Sequence, residues 1–206
     1  MAKVAVFASG NGSNFEAIAK ALHETPHRVV CLISDNEQAY ALSRAKRLQI
    51  PSHVFPFRTP SERKMSEERI IQLLRSYQTD FIALAGFMRL LSPLLIDAFP
   101  NRIVNIHPSL LPKYPGTHGI RDSYLSKDPE LGITIHYVDY GLDTGPIITQ
   151  RSFRRTGTET LEEIEEKIHA LEHEVYPKVL IELLDALEHP RQYNPRQYKG
   201  ENLCES

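Results

Sequence analysis

Three residues in the second half of the chain have the types and spacing to work at a carbonyl group. Asn105 and His107 stand two apart in the run Asn105-Ile106-His107-Pro108-Ser109-Leu110-Leu111-Pro112. If residues 103–106 form a strand, side chains two apart share a face, so an amide and an imidazole converge on one small volume. Such a pair suits a reaction in which a carbonyl oxygen becomes negative while an amine loses a proton. The same two side chains could instead be buried groups that satisfy loop carbonyls, and the residues alone leave both readings open. The third residue is Asp143, within Gly141-Leu142-Asp143-Thr144-Gly145-Pro146. A loop aspartate among glycines is ordinarily a turn residue. Placed against His107, it would stabilise the imidazolium and fit it for general-acid work or a proton relay.

A second constellation is Ser9-Gly10-Asn11-Gly12-Ser13-Asn14, between an apolar run and a helix-period segment. Glycines let successive N–H groups aim at a ligand, and the positive end of a helix favours an anion, so a phosphate is the natural guest. The alternative is a tight turn with Ser13 or Asn14 as the helix N-cap. Asp35 follows Gly10-x-Gly12 at the distance a dinucleotide site would use, but Phe15 stands where the third glycine belongs. No Gly-Lys-Ser/Thr ending is present, which removes the phosphate loop of nucleotide hydrolases. His169-Ala170-Leu171-Glu172-His173 formally matches the inverted zinc-peptidase pattern. A catalytic zinc needs a third protein ligand, and only a short polar segment follows, so a solvated His/Glu-rich helix face is the preferred reading.

Those residues need a scaffold, and the hydrophobic pattern supplies one. Residues 4–8, 29–33, 54–55, 81–85 and 103–106 read as strands, the longer ones too continuously apolar to be half solvated. Between them, residues 13–23, 39–48, 61–77 and 92–99 carry apolar residues at helical spacing. Alternation of this kind argues for a parallel sheet covered on both faces, with ligands at the carboxyl ends of the strands. The chemistry is therefore expected just after residues 8, 85 and 106. Beyond the Pro/Gly-rich stretch 108–119, residues 132–138 and 147–153 flank a turn-rich loop and read as an antiparallel extension. A last helix starts near Thr160, where Thr160-x-x-Glu163 makes a capping box, and Leu161, Ile164, Ile168, Leu171 and Val175 form one face. Pro177 is expected to kink or interrupt it before Leu180, Leu183, Leu184 and Leu187 resume the pattern. The fold class expected is three-layer α/β: a mostly parallel central sheet, dinucleotide-binding-like in its N-terminal half, with an antiparallel C-terminal part and a long C-terminal helix. Residues 1–189 are read as one domain and 190–206 as a polar tail.

The 206 residues carry a formal charge of -2 and are 41% apolar. A chain of that length buries roughly 70% of its unfolded surface, enough for a core without disulfide or metal staples. With 24 Lys+Arg against 26 Asp+Glu there is no global field for nucleic acid or an anionic membrane. Cys31 in an apolar run and Cys204 near the C-terminus make no disulfide framework and suit a reducing cytoplasm. No stretch approaches the about twenty apolar residues of a membrane span.

Taken together, Ser9-Gly10-Asn11-Gly12-Ser13-Asn14, Ala85-Gly86-Phe87-Met88-Arg89-Leu90-Leu91-Ser92, the Asn105 to Pro112 block and Asp143-Thr144-Gly145-Pro146 resemble the formyltransferase-like family of folate-dependent enzymes. The resemblance covers about Ala2 to Leu187. Its first two motifs resemble most closely the branch that formylates a small ribonucleotide in purine synthesis. It implies transfer of a formyl group from 10-formyltetrahydrofolate to the amine of phosphoribosylglycinamide, with no metal. Asn105, His107 and Asp143 would be the catalytic set. Gly10, Asn11, Gly12, Ser13 and Asn14 would hold the nucleotide phosphate, with Arg63 a further contact to it, and Glu172 would meet the ribose or glycinamide. Met88, Arg89, Leu90 and Leu91 would line the folate, Arg89 meeting its glutamate carboxylate. The pterin would sit against Val138, Asp139, Tyr140, Gly141, Leu142 and Asp143. His169 stands where the family more often has Gln or Lys and is left outside the site. Residues 113–118 are expected, from Pro/Gly content, to be a mobile lid.

Within the family, a tRNA-directed relative would need an extra C-terminal domain and a formyl-hydrolysing one an extra N-terminal domain. A chain of 206 residues is expected to have room for neither. Small-molecule partners, no nucleic acid, no membrane, a cytoplasmic location and a monomer or homodimer are the corresponding expectations. A noncatalytic nucleotide-binding module or an NAD-dependent oxidoreductase on the same sheet is the alternative from another class.

Overall fold

In the computed structural model, which describes residues 1–188, the longer central strands are almost continuously apolar because both of their faces are covered. Along β1 (Lys3–Phe7), Val4 and Val6 point to one side and Ala5 and Phe7 to the other, and all four are fully buried. The first side packs against Phe15, Ile18 and Leu22 of α1 (Ser13–His23) and Ile164, Ile168 and Leu180 of the last helix, Leu161–Glu188. The second packs against a helix at Pro60–Ser76, through Ile70 and Leu74, and a shorter one at Pro93–Ala98, through Leu95 and Ile96. Each such side chain contributes about 1.5–3 kcal/mol when fully removed from water, so two filled interfaces hold one sheet between two helical layers.

The remaining elements, in chain order, are β2 (Arg28–Ser34), α2 (Tyr40–Arg47), β3 (Ser52–Val54), β4 (Phe81–Leu84), β5 (Ile103–His107), α5 (Gly119–Leu125), β6 (Glu130–Tyr137) and β7 (Ile147–Arg154). The helix at Pro60–Ser76 is thus α3, that at Pro93–Ala98 is α4 and the last is α6. Seven strands form one sheet in the order β3-β2-β1-β4-β5-β6-β7. β1 to β5 pair in parallel, and β5, β6 and β7 pair antiparallel. The chain works outward from β1 to β3 and then returns to place β4 on the other side of β1. That reversal leaves a crevice beyond the carboxyl ends of β1 and β4.

The expected class is found, with local differences. β3 covers residues 52–54 instead of 54–55: it is a three-residue edge strand set by its pairing with β2 rather than by its own apolar content. α5 follows the Pro/Gly-rich stretch in a segment to which the sequence pattern assigns no element; at seven residues, with Gly119 as its first, it has too little periodicity to announce itself. α6 begins with the expected capping box: Glu163 N–H donates to Thr160 Oγ1 and Thr160 N–H to Glu163 Oε2. Its 28 residues run through Pro177 without interruption. Tyr176, Val179 and Leu180, on both sides of the proline, are buried on the sheet, and that packing outweighs one lost helical hydrogen bond. The Tyr176 hydroxyl also donates to the Leu84 and Val104 carbonyls, pinning α6 across β4 and β5. The expectation of a polar tail over residues 190–206 lies outside the described residues.

Candidate active site

The carboxyl ends of β1, β4 and β5 open on a cavity of about 620 Å³. Residues 9–14, Leu84 to Leu91, Asn105 to Pro108, Val138, Asp139, Gly141 to Asp143 and the inner face of α6 line it. Its position is the one the alternating pattern implies, and the side chains that meet there come from loops and strand ends far apart in the chain.

At the floor, Asn105 and His107 project from the same face of β5. Because β6 is antiparallel to β5, with Asn105 opposite His136 and His107 opposite Thr134, His136 shares that face. The Asn105 amide lies 3.2 Å from His136 Nε2, and His136 Nδ1 lies 2.9 Å from the Tyr137 carbonyl. A carbonyl can only accept, so Nδ1 carries the hydrogen and Nε2 is left to accept from Asn105. Burial pushes the His136 ring below the ordinary histidine value, in keeping with this neutral form. One Asn105 N–H is thereby used to orient the amide, and the other is free for a ligand. His136 was missed from the sequence; its register opposite Asn105 is the signal that would have found it.

His107 is almost fully buried, and its Nε2 donates to the Tyr114 carbonyl at 2.8 Å. Its Nδ1 faces Asp143 Oδ2 at 3.5 Å, while Asp143 Oδ1 lies 3.7 Å from His136 Nε2. The structure therefore brings Asn105, His107 and Asp143 together as expected. The loop that delivers Asp143 shows why it needs its glycines. A Cβ on Gly145 would lie 1.8 Å from the Tyr137 carbonyl oxygen, and one on Gly141 would lie 2.1 Å from Thr144 Oγ1. Asp143 itself takes a left-handed backbone, φ 55°, which aspartate tolerates better than most residues. Its Oδ2 also accepts the Gly116 N–H at 2.8 Å. Residues 113–118, expected as a mobile lid, are held by that bond, by the Ser109 hydroxyl on the Lys113 and Tyr114 carbonyls, and by Lys113 and Tyr114 on Asp128.

At one end of the cavity, the glycine-rich loop enters α1 through Gly12, which is the N-cap in a left-handed conformation, φ 74°. Neither Ser13 nor Asn14 caps the helix, and no side chain takes that place. The first N–H groups of α1 have no intrahelical partner and are available to an anion. Glu172, nearly buried, accepts from Asn14 Nδ2 at 3.0 Å and from His169 Nδ1 at 2.9 Å. The bond to Glu172 raises His169 above the ordinary histidine value. His169, left outside the expected site, lines the cavity: Glu172 and His169 are one turn apart, so a helix that presents one inward carries the other with it. His169 and His173 stack their rings 6.4 Å apart, and no metal-holding cluster of three or more His, Cys, Asp or Glu occurs among the described residues.

At the other end, Met88 and Leu90 are exposed and Leu91 is buried, giving apolar walls, and Met88 N–H donates to the Ser9 hydroxyl at 2.8 Å. Ser9 thus ties this segment to the glycine-rich loop. Arg89 Nε is paired with Asp35 Oδ2 at 2.6 Å. That contact occupies the acid a dinucleotide site would use and leaves the rest of the guanidinium as donors. Two expected residues are not brought to the cavity. Arg63 sits on α3, on the sheet face opposite α1, and pairs with buried Glu67 at 3.5 Å. Tyr140 is exposed and turns its hydroxyl outward to Asp97.

A family model described as formyl transferase matches residues 2–180. The chain is 45% identical over 186 residues to the phosphoribosylglycinamide formyltransferase of Bacillus subtilis, covering 89% of this chain and 95% of that one. It is 36% identical over 187 residues to the trifunctional purine biosynthetic protein adenosine-3 of Drosophila melanogaster, covering 89% of this chain and 14% of that one. The crystal structure of glycinamide ribonucleotide transformylase 1 from Geobacillus kaustophilus superposes with a TM-score of 0.83 at 44% identity, covering 89% of this chain and 99% of that one.

Proposed function

The chain belongs to the formyl transferase family, and from that premise we propose that it transfers the formyl group of 10-formyltetrahydrofolate to the amine of phosphoribosylglycinamide. The products are formylglycinamide ribonucleotide and tetrahydrofolate, a step of purine synthesis. The observation that carries this reading is the convergence of Asn105, His107 and Asp143 between an open helix N-terminus and an apolar wall in one cavity.

Each end of the cavity has the chemistry for one substrate. Gly10 to Asn14 receive the phosphate on backbone N–H groups, and Glu172 receives the ribose or glycinamide. The folate lies along Met88 to Leu91, and its pterin pairs with backbone groups of the loop from Val138 to Asp143. Formyl-folate is consumed as a co-substrate, and the reaction calls for no metal. The nucleotide amine attacks the formyl carbon, and a C–N bond forms as the carbonyl electrons move onto oxygen. The free Asn105 N–H meets that oxyanion directly. His107 has one N–H on the Tyr114 carbonyl; protonated at Nδ1 against Asp143, it adds positive charge beside the oxyanion. The proton lost by the amine passes through water beside Asp143 to folate N10, the bond from the formyl carbon to N10 breaks, and the carbonyl re-forms.

The partners are these two small molecules; neither nucleic acid nor a membrane is required. Among the described residues, no helix is long and apolar enough to cross a membrane. We place the activity in the cytoplasm, in a single domain spanning residues 1–189, as a monomer or homodimer. Mixing the protein with both substrates and following folate absorbance tests the reading. Deformylation that depends on the nucleotide is expected; its absence would overturn the assignment.

A further inference from the structure

The glycine-rich loop is gripped from outside the cavity by α2. Ala41 N–H donates to the Gly10 carbonyl at 3.1 Å, and Gly12 packs so closely on Ala41 that a Cβ there would lie 2.5 Å from the Ala41 side chain. Arg44, one turn along, donates from Nε to the Asn11 carbonyl at 2.9 Å and from a terminal nitrogen to Asn11 Oδ1 at 2.8 Å. Its other terminal nitrogen binds Glu16 on α1, and its guanidinium lies 4.9 Å from the centre of the Tyr40 ring. Glu16 is held by Arg47 and Lys20 as well, and its carboxyl sits at about 2, chiefly through the Lys20 hydrogen bond. Arg44 is not part of the cavity lining.

We propose that Arg44 is a positioning residue for the nucleotide: its planar fork clamps both oxygens of Asn11 and so sets the peptides that aim the α1 N–H groups at the phosphate. This rests on the reading of Gly10 to Asn14 as the phosphate site. The physical need is clear from the helix start. Ala41 holds the loop at Gly10 and Gly12, but no side chain caps α1, and Asn11 between those two glycines is fixed by Arg44. Bidentate donation from a guanidinium fixes a direction as well as a distance, which a single ammonium cannot reproduce. The clamp also leaves the backbone donors unoccupied, because a guanidinium bonds only to acceptors, here the two Asn11 oxygens.

The test compares wild type, Arg44→Ala and Arg44→Lys by steady-state kinetics, with inorganic phosphate as a competitive probe. Both variants are expected to raise the KM for the nucleotide and the inhibition constant for phosphate by about tenfold, with folate KM and kcat within about twofold. Full restoration by lysine would show that charge alone suffices and overturn the clamp. A lower melting temperature and lower kcat with nucleotide KM unmoved would mark a merely structural role and also overturn it. If Arg44→Ala fails to fold, Arg44→Lys decides by the same readouts. Phosphate competing normally in wild type and both variants would sink the clamp while keeping the loop reading. Phosphate failing to compete with nucleotide in wild type would sink the loop reading, and the clamp with it.

Discussion

Two glycine-containing turns meet at this cavity; in both, glycine lets the backbone lie close to a neighbour, Gly12 on Ala41 and Gly145 on the Tyr137 carbonyl, but the turns present different groups. In residues 10–14, Gly12 adopts φ 74° so that α1 starts without a side-chain cap and its donors stay open. In residues 141–145, glycine permits close approach: Gly145 lets the loop lie against the Tyr137 carbonyl, and the turn presents the Asp143 carboxylate to His107. The first turn offers backbone to a ligand; the second delivers a side chain to a catalytic group. Damage to the first should therefore appear in nucleotide affinity, and damage to the second in turnover or folding.

The largest effects are expected at the delivered side chains. His107→Ala and Asp143→Asn should each lower kcat by about 10³–10⁴ with nucleotide binding, measured by calorimetry, largely kept. Rates near wild type would break the assignment of roles. Asn105→Ala removes the direct oxyanion donor and should cost about 10²–10³ in kcat. Between the turns, alanine distinguishes a glycine that packing requires from one that it does not. Gly145→Ala forces a methyl into a backbone carbonyl and should lower unfolding stability by about 3 kcal/mol, whereas Gly10→Ala meets nothing within 4 Å and should stay within about 0.5 kcal/mol. Equal denaturation midpoints for the two would erase the contrast. Glu172→Ala should act at the nucleotide end alone, raising its KM about tenfold; an unchanged value would remove Glu172 from the site.

The smallest effect expected is on stability against pH. Burial pushes His53, His136 and His173 below the ordinary value of 6.5, so the unfolded chain takes up protons at these positions before the folded one does. Stability from them is present above about 6.5 and is lost as the pH falls below it. His169, raised by Glu172, opposes this: its contribution is present at low pH and lost on rising above its folded value. The three lowered histidines favour a melting temperature that declines as the pH falls from about 7.5 to 5.5, and a flat or rising profile would show that they do not dominate.

Much of the architecture was legible because burial on two faces leaves a mark in the chain. Runs such as Val4 to Phe7 have the short, continuous apolar character of a strand buried on both faces, and their alternation with helix-period segments implies parallel order and a ligand edge. Asn105 and His107 could be paired from spacing alone, since a strand has period two. Asp143 was legible only as a turn residue and through resemblance. Its distance from His107 depends on a chain reversal through β6 that local pattern does not measure. α5 was too short to carry a period, and Pro177 does not interrupt α6, because packing on the sheet beneath Tyr176 and Leu180 outweighs local propensity.

By itself, then, the sequence determined the layers, the strand ends where chemistry must lie and the residue types available there. These follow from periodicity and backbone stereochemistry, which act over a few residues. Which side chains share the cavity was settled by long-range packing. It added His136 and His169, left Arg63 and Tyr140 outside, and set Arg44 behind the glycine-rich loop. The physical reason is range: register between β5 and β6 and the docking of α2 and α6 join residues up to 158 apart in the chain, as between Asn14 and Glu172. No local preference specifies such contacts before the core closes.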